Sequence, residues 1–172
     1  MPRKLTLVRH GPTVLNEAGR LRGWMDPPLS KAGYEVARNL ALLKYTGIVY
    51  SSDLCRATQT AQYITRFYEA TPALRPWNVG IYAGQPAAIV HPRLVEYQQK
   101  HPNVAVPFGE PWNDFVKRLI GFASRCKDGD VLVTHYRCCK LLQAWTGSEV
   151  DWDVMLRDDV ETASVMHVTL DS

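Results

Sequence analysis

The sequence predicts an α/β fold in which a largely parallel sheet is covered by helices on both faces. Three observations predict it. Short apolar runs, Leu5-Thr6-Leu7-Val8 and Val131-Leu132-Val133, have the length and composition of buried strands. Segments of helical periodicity lie between the strand-like runs, so strand and helix alternate along the chain. The 172 residues, 46% hydrophobic and 22% charged, suffice for one domain spanning 1–172 with a substantial core.

The first run stops at Arg9-His10-Gly11-Pro12, which reads as a strand ending in a loop, with reactive side chains at its carboxyl end. Ser30 is placed to cap a helix whose positions Ala32, Val36, Ala37, Leu40 and Leu43 recur at helical spacing until Gly47. Ile48-Val49-Tyr50 reads as a second strand. Ser52 then opens a helix with Ala57, Ala61, Ile64 and Tyr68 along one face, and Pro72 lies just past its end. Residues 72–111 hold seven of the eleven prolines. That density predicts an irregular excursion over the sheet edge with two short helices, suited to a lid or specificity segment.

Trp112, Phe115, Val116, Leu119, Phe122 and Ala123 mark an amphipathic helix ending near Lys127-Asp128-Gly129. The strand at Val131 delivers a second histidine, His135, at its carboxyl end, ahead of a helix through Leu141, Leu142 and Trp145. Met166, Val168 and Leu170 alternate with His167 and Thr169, the pattern of a last strand with one polar face.

A net charge of +3, with basic residues scattered among acids, calls for neither nucleic acid nor a membrane surface, and suits a small anionic substrate. The apolar run after Met1-Pro2-Arg3-Lys4 is too short for a signal peptide or a membrane span, so the expected address is cytoplasmic. Cys55, Cys126, Cys138 and Cys139 form no C-x-x-C pair and read as reduced thiols. His135 beside Cys138 and Cys139 lacks a second ligand pair, so no metal site is assigned, and no Walker-type phosphate loop is present. No cofactor is expected. His91 and His101 each precede proline and read as solvent-facing loop residues, His167 as part of the polar strand face. Trp24, Trp77, Trp112 and Trp145 fall at unrelated spacings and read as core or pocket walls.

In open α/β sheets ligands bind outside the carboxyl ends of the strands. Three strand ends here carry Arg9 with His10, Arg56 shortly after Ser51-Ser52, and His135. A neutral imidazole is a competent nucleophile toward phosphorus near neutral pH. Guanidinium groups supply planar forks of donors to phosphoryl oxygens and stay charged.

These segments resemble the histidine phosphatase superfamily, also called phosphoglycerate mutase-like. The resemblance lies in Leu7-Val8-Arg9-His10-Gly11-Pro12-Thr13 with Asn16, in Gly23-Trp24-Met25-Asp26-Pro27-Pro28-Leu29-Ser30 through Gly33, and in Ser51-Ser52-Asp53-Leu54-Cys55-Arg56-Ala57-Thr58-Gln59-Thr60-Ala61. Gly109-Glu110-Pro111 resembles a G-E-S turn, and Val131-Leu132-Val133-Thr134-His135 the strand of the second histidine. The resemblance implies a three-layer α/β/α sandwich with His10 phosphorylated and Arg9, Arg56 and His135 binding the phosphoryl group. It further implies that Thr13 and Asn16 line the pocket and that Gly11 permits close backbone approach; Gly23 and Tyr136 are assigned as further substrate-binding residues, the Tyr136 phenol as one that narrows the pocket or contacts substrate.

Two departures bear on the reaction. The family's larger branch carries the Glu that protonates the leaving oxygen in a segment like L-x-E-x-x-x-G-x-x-E-G. Here that stretch, Leu74 to Gly84, has Pro76 at the position of that Glu and Ala83 at that of the second one. A positioned general acid contributes about 10²–10⁴-fold, so alkyl phosphates are expected to be poor substrates. Acyl phosphates, aryl phosphates and phosphohistidine need less proton assistance. Glu110 and Asp26 are the candidates to replace the acid. Tyr136 stands where a glycine often follows the second histidine.

The expected function is a metal-independent phosphatase acting on a phosphorylated small molecule or phosphoprotein. The alternatives are a non-catalytic module that holds a phosphorylated ligand, and a phosphoglycerate-type mutase.

Overall fold

A computed structural model describes residues 1–157 and 160–170 of the chain. Five strands, β1 (Arg3–Arg9), β2 (Val49–Ser52), β3 (Glu69–Thr71), β4 (Val131–Thr134) and β5 (Val165–Leu170), form one sheet in the order β3-β2-β4-β1-β5. The first four are mutually parallel, and β5 closes the sheet antiparallel to β1. Seven helices are described: α1 (Val14–Glu17), α2 (Lys31–Ala37), α3 (Cys55–Ile64), α4 (Ala87–Lys100), α5 (Trp112–Ala123), α6 (Tyr136–Ala144) and α7 (Trp152–Met155).

Alternation along the central strands sets the layers, because successive side chains point to opposite faces. Leu5, Leu7 and Leu132 join the larger core with Val90 and Leu94 of α4, Phe115 and Leu119 of α5 and Leu141 and Leu142 of α6. Val8, Val131, Val133 and Val49 turn the other way, onto Ala57 and Ala61 of α3 and onto Leu40. Helices therefore cover both faces of the sheet, as the three-layer prediction requires.

The elements depart from the sequence reading in four places. The helix from Ser30 ends earlier than Gly47: Ser30 does cap it, accepting from the Gly33 amide at 3.1 Å, but after Ala37 the chain tightens into a 3-10 turn over Arg38–Leu42. The helix assigned through Tyr68 stops at Ile64. There Thr65 turns extended and its hydroxyl accepts the Phe67 amide at 3.1 Å, releasing residues 69–71 to pair with β2 as an edge strand.

The proline-rich segment is more regular than expected. After two 3-10 turns, Pro72–Leu74 and Gly80–Tyr82, it builds the 14-residue helix α4 with Pro92 inside it. Burial of Val90 and Leu94 offsets the backbone bond that Pro92 forgoes. Leu74, Trp77, Val79 and Val106 are buried as well, so the segment is part of the core and not only an excursion over it. Finally, His91 lies on α4, half-buried, and not in a loop.

One side chain of α5 organises the start of that segment. Arg118 donates to the carbonyls of Ala73 and Arg75 at 2.9 Å, Pro72 at 3.2 Å and Pro76 at 3.3 Å, and to the Glu110 carboxylate at 2.7 Å. The indole of Trp24 donates to the Pro76 carbonyl from the other side at 2.8 Å. Among the described residues no helix is long and apolar enough to cross a membrane.

Candidate active site

The three adjacent parallel strands β2, β4 and β1 end at one edge and deliver their following residues together. The His10 amide donates to the Thr134 carbonyl at 2.9 Å, which ties the end of β1 to the end of β4. The Gly11 amide donates to Thr60 Oγ1 at 3.0 Å, and that hydroxyl donates to the Arg56 carbonyl at 2.7 Å, binding the same loop to α3. Gln59 accepts the Leu29 amide at 2.9 Å. On the far side the loop presses on α2 so closely that a Cβ on Gly33 would stand 2.1 Å from the Pro12 carbonyl oxygen; only glycine fits. Much of the long sequence resemblance is thus scaffolding for the residue after β1.

His10 is fully buried, and its Nδ1 lies 2.6 Å from the Gly11 carbonyl oxygen. A carbonyl can only accept, so Nδ1 carries the proton and Nε2 carries the lone pair. Nε2 has no hydrogen-bond partner among the described residues, and His10 borders a cavity of about 460 Å³. The His135 ring stands 5.1 Å from that of His10, centroid to centroid. Its Nε2 is 2.8 Å from Ser52 Oγ, while its Nδ1 is buried without a described partner. The Ser52 hydroxyl can donate to Nε2, and in that tautomer the Nδ1–H of His135 is a donor for an incoming oxygen. His135 also begins α6 with no side-chain cap on the helix, so the positive end of the helix dipole adds to the site.

Arg56 is buried at 1% exposure and forks onto backbone, NH1 donating to the Met25 carbonyl at 2.7 Å and NH2 to that of Gly23 at 2.9 Å. Gly23 makes this contact from a positive φ of 50°. The Nε of Arg56 has no partner among the described residues. Arg9 donates to the Val160 carbonyl, and its guanidinium lies 5.1 Å from the centre of the Tyr136 ring.

Burial, and then the positive charges of Arg56, Arg22 and Arg9, hold His10 well below the ordinary imidazole range. Burial and Arg56 do the same to His135. Burial and mutual repulsion press Arg22 down to about 9, and burial presses Arg56 to about 10. Both remain charged at neutral pH, and an anion in the cavity would relieve the excess positive charge.

The two neutral histidines make a pH signature of folding. In the unfolded chain each binds a proton near pH 6.5, whereas in the fold each does so only at lower pH. The unfolded state therefore takes up more protons as the pH falls. The histidine contribution is intact above about pH 7 and is lost progressively below about 6.5, at a rate approaching about a hundredfold in the folding constant per pH unit for two groups. Urea titrations in phosphate-free buffer between about pH 7.5 and 5 measure it. A midpoint that stays flat over that range would contradict the buried neutral pair.

Of the residues expected at the site, Arg9, His10, Arg56, His135, Asn16, Gly23 and Tyr136 border the cavity. Gly11 and Thr13 do not. Gly11 supplies the carbonyl that orients His10, and buried Thr13 caps α1 in a reciprocal pair with Asn16. Glu110 is held by Arg118 and by the Asn78 amide at 2.9 Å, and Asp26 accepts the Cys55 amide at 2.7 Å; neither borders the cavity, whereas Pro76 does. Cys138 is buried, with its thiol pushed up to about 11 and directed at the carbonyls of Leu74 and Arg75.

The sequence reading missed Arg20, Arg22, His91 and Arg137, all of which border the cavity. Arg22 and Arg137 were within reach of a rule: each adjoins an assigned site residue in the chain, Gly23 and Tyr136 respectively. His91 gave no such signal, because the proline after it argued for a loop.

The chain matches the histidine phosphatase superfamily (branch 1) over residues 5–172. It is 31% identical over 131 residues to a Yersinia pestis protein named "Probable phosphoglycerate mutase GpmB", covering 70% of this chain and 61% of that one. The chain thus spans about three fifths of the length of the curated relatives it matches. A crystal structure of phosphoglycerate mutase from Thermus thermophilus is 32% identical and superposes with a TM-score of 0.79, covering 96% of this chain and 92% of that one. A solved protein described as mycobacterial hydrolase 1, 23% identical, shares the fold with a TM-score of 0.82, covering 98% of this chain and 92% of that one. Two histidines and an arginine cluster at adjoining strand ends, together with these matches, make the chain a member of the histidine phosphatase superfamily, branch 1.

Proposed function

We propose that the chain is a phosphatase that hydrolyses phosphorylated compounds through a phosphohistidine on His10. The observation that carries the reading is the orientation of His10: the Gly11 carbonyl holds the proton on Nδ1, leaving the Nε2 lone pair without a described partner beside the cavity. Nε2 attacks phosphorus, and the bond to the leaving oxygen breaks. Arg9, the Nε of Arg56 and the Nδ1–H of His135 meet the charge on the phosphoryl oxygens. Water then releases orthophosphate and restores His10. Asn16, Gly23 and Tyr136 line the space for the rest of the substrate.

Pro76 offers the cavity an apolar ring where the resemblance expects a proton donor. The reaction is accordingly assigned to substrates with weakly basic leaving groups. The relatives' names favour a second reading, a mutase that returns the phosphoryl group to another hydroxyl. Rapid alkaline quenching after mixing with 4-nitrophenyl phosphate labelled at phosphorus tests the reading. The expected result is acid-labile, base-stable label on His10 together with steady release of orthophosphate. Binding without label or release would replace the phosphatase with a phospho-ligand-binding module. Isomerisation of phosphoglycerate faster than its hydrolysis would favour the mutase.

A further inference from the structure

Among the described residues the cavity wall carries more arginines than one phosphoryl group engages. Arg9, Arg20, Arg22, Arg56 and Arg137 all border it, and no Asp or Glu does so among the described residues. These arginines fall into two sets. Arg9, Arg22 and Arg56 act electrostatically on both histidines and so surround the place where phosphorus is attacked. Arg137 borders the same cavity from a different element, α6. It lies in the first turn of α6, two residues beyond His135.

Arg20 is engaged, donating to the Gly84 carbonyl at 2.7 Å. Arg137 makes no hydrogen bond or ion pair with any described residue, and it is only half-buried, so a ligand can reach it. Burial lowers it to about 10, which leaves it charged at neutral pH. No nitrogen of Arg137 is among the buried unpartnered atoms of the described residues, so its fork is open to meet an oxyanion through paired hydrogen bonds.

We propose that Arg137 holds a negatively charged leaving group, and that the substrates are phosphoanhydrides, in which the group departing from phosphorus is itself a phosphate. This rests on the phosphatase reading above and adds to it the identity of the leaving side. Phosphate is a weak base and departs without the proton that an alkoxide requires, which matches the apolar Pro76 on the cavity wall. The lone pair of His10 Nε2 forms the N–P bond as the bridging P–O bond breaks, and that electron pair leaves on the departing phosphate at Arg137. Water then adds its oxygen to phosphorus, the N–P pair returns to Nε2, and the water proton passes to the released phosphate.

The experiment compares kcat/KM for inorganic pyrophosphate, 3-phosphoglycerate and 4-nitrophenyl phosphate in the native chain, Arg137→Met and Arg137→Lys. Pyrophosphate is expected to be the best of the three. Arg137→Met is expected to lower its kcat/KM by about tenfold to a hundredfold more than that of 4-nitrophenyl phosphate, with partial recovery in Arg137→Lys. Equal losses on both substrates, or none, would overturn the role of Arg137. A selective loss on 3-phosphoglycerate with pyrophosphate untouched would overturn the phosphoanhydride class. If 4-nitrophenyl phosphate labels His10 while pyrophosphate is inert, this inference fails and the phosphatase reading stands. If nothing labels His10, both fail.

Discussion

Replacing His10 by alanine is expected to lower turnover of an aryl phosphate by about 10⁴-fold or more and to abolish the acid-labile label. His135, the imidazole that stands beside His10, is poorly placed to take over the attack. The His135 Nε2 is turned toward Ser52 at 2.8 Å, and the cavity wall around it is cationic. What remains in the variant is the electrostatic hold of the arginines on phosphate, so binding should persist while release stops. Circular dichroism and phosphate binding on the same preparation separate this result from simple unfolding. Turnover within about tenfold of the native chain would remove His10 from the reaction.

The second large effect belongs to Arg56. Its Arg56→Met variant is expected to lose about 10²–10³-fold in kcat/KM for the aryl phosphate, the magnitude typical of one preorganised donor to transition-state charge. It should also lose stability, since the carbonyls of Gly23 and Met25 each give up a charged donor. The cost is about 1–3 kcal/mol for each acceptor left dry. Arg56→Lys is the sharper test. A single ammonium cannot reach two carbonyls and a phosphoryl oxygen at once, so lysine should recover little of either loss. Near-native kinetics in Arg56→Lys, measured beside thermal unfolding, would show that the fork geometry is unimportant.

The sequence disclosed most where chemistry coincides with the end of a strand. His10, Arg56 and His135 each follow a short apolar run, and strand ends in a parallel sheet are where ligands bind. It disclosed least where two local signals conflict. Pro92 argued against a helix, yet α4 forms because Val90 and Leu94 find partners in the larger core, a contact that no local window contains. The edge strand Glu69–Thr71 is three residues long and largely exposed, too short to show a period. Arg22 and Arg137 gave only a weak signal, their adjacency to Gly23 and Tyr136. A lone arginine on a helix or loop reads as solvated surface until the fold turns it inward, and only the shared cavity distinguishes these two from arginines that face solvent.

The grip of Arg118 on four neighbouring carbonyls and on Glu110 has an evolutionary corollary. It fastens both ends of the stretch between Pro76 and Glu110 to a single anchor on α5, so the two ends keep their spacing. Replacements at exposed positions of that stretch, as opposed to the buried Trp77, Val79, Val90, Leu94 and Val106, can change which compounds are admitted without disturbing the core beneath. Descendants of such a scaffold can diversify in diet while inheriting one reaction.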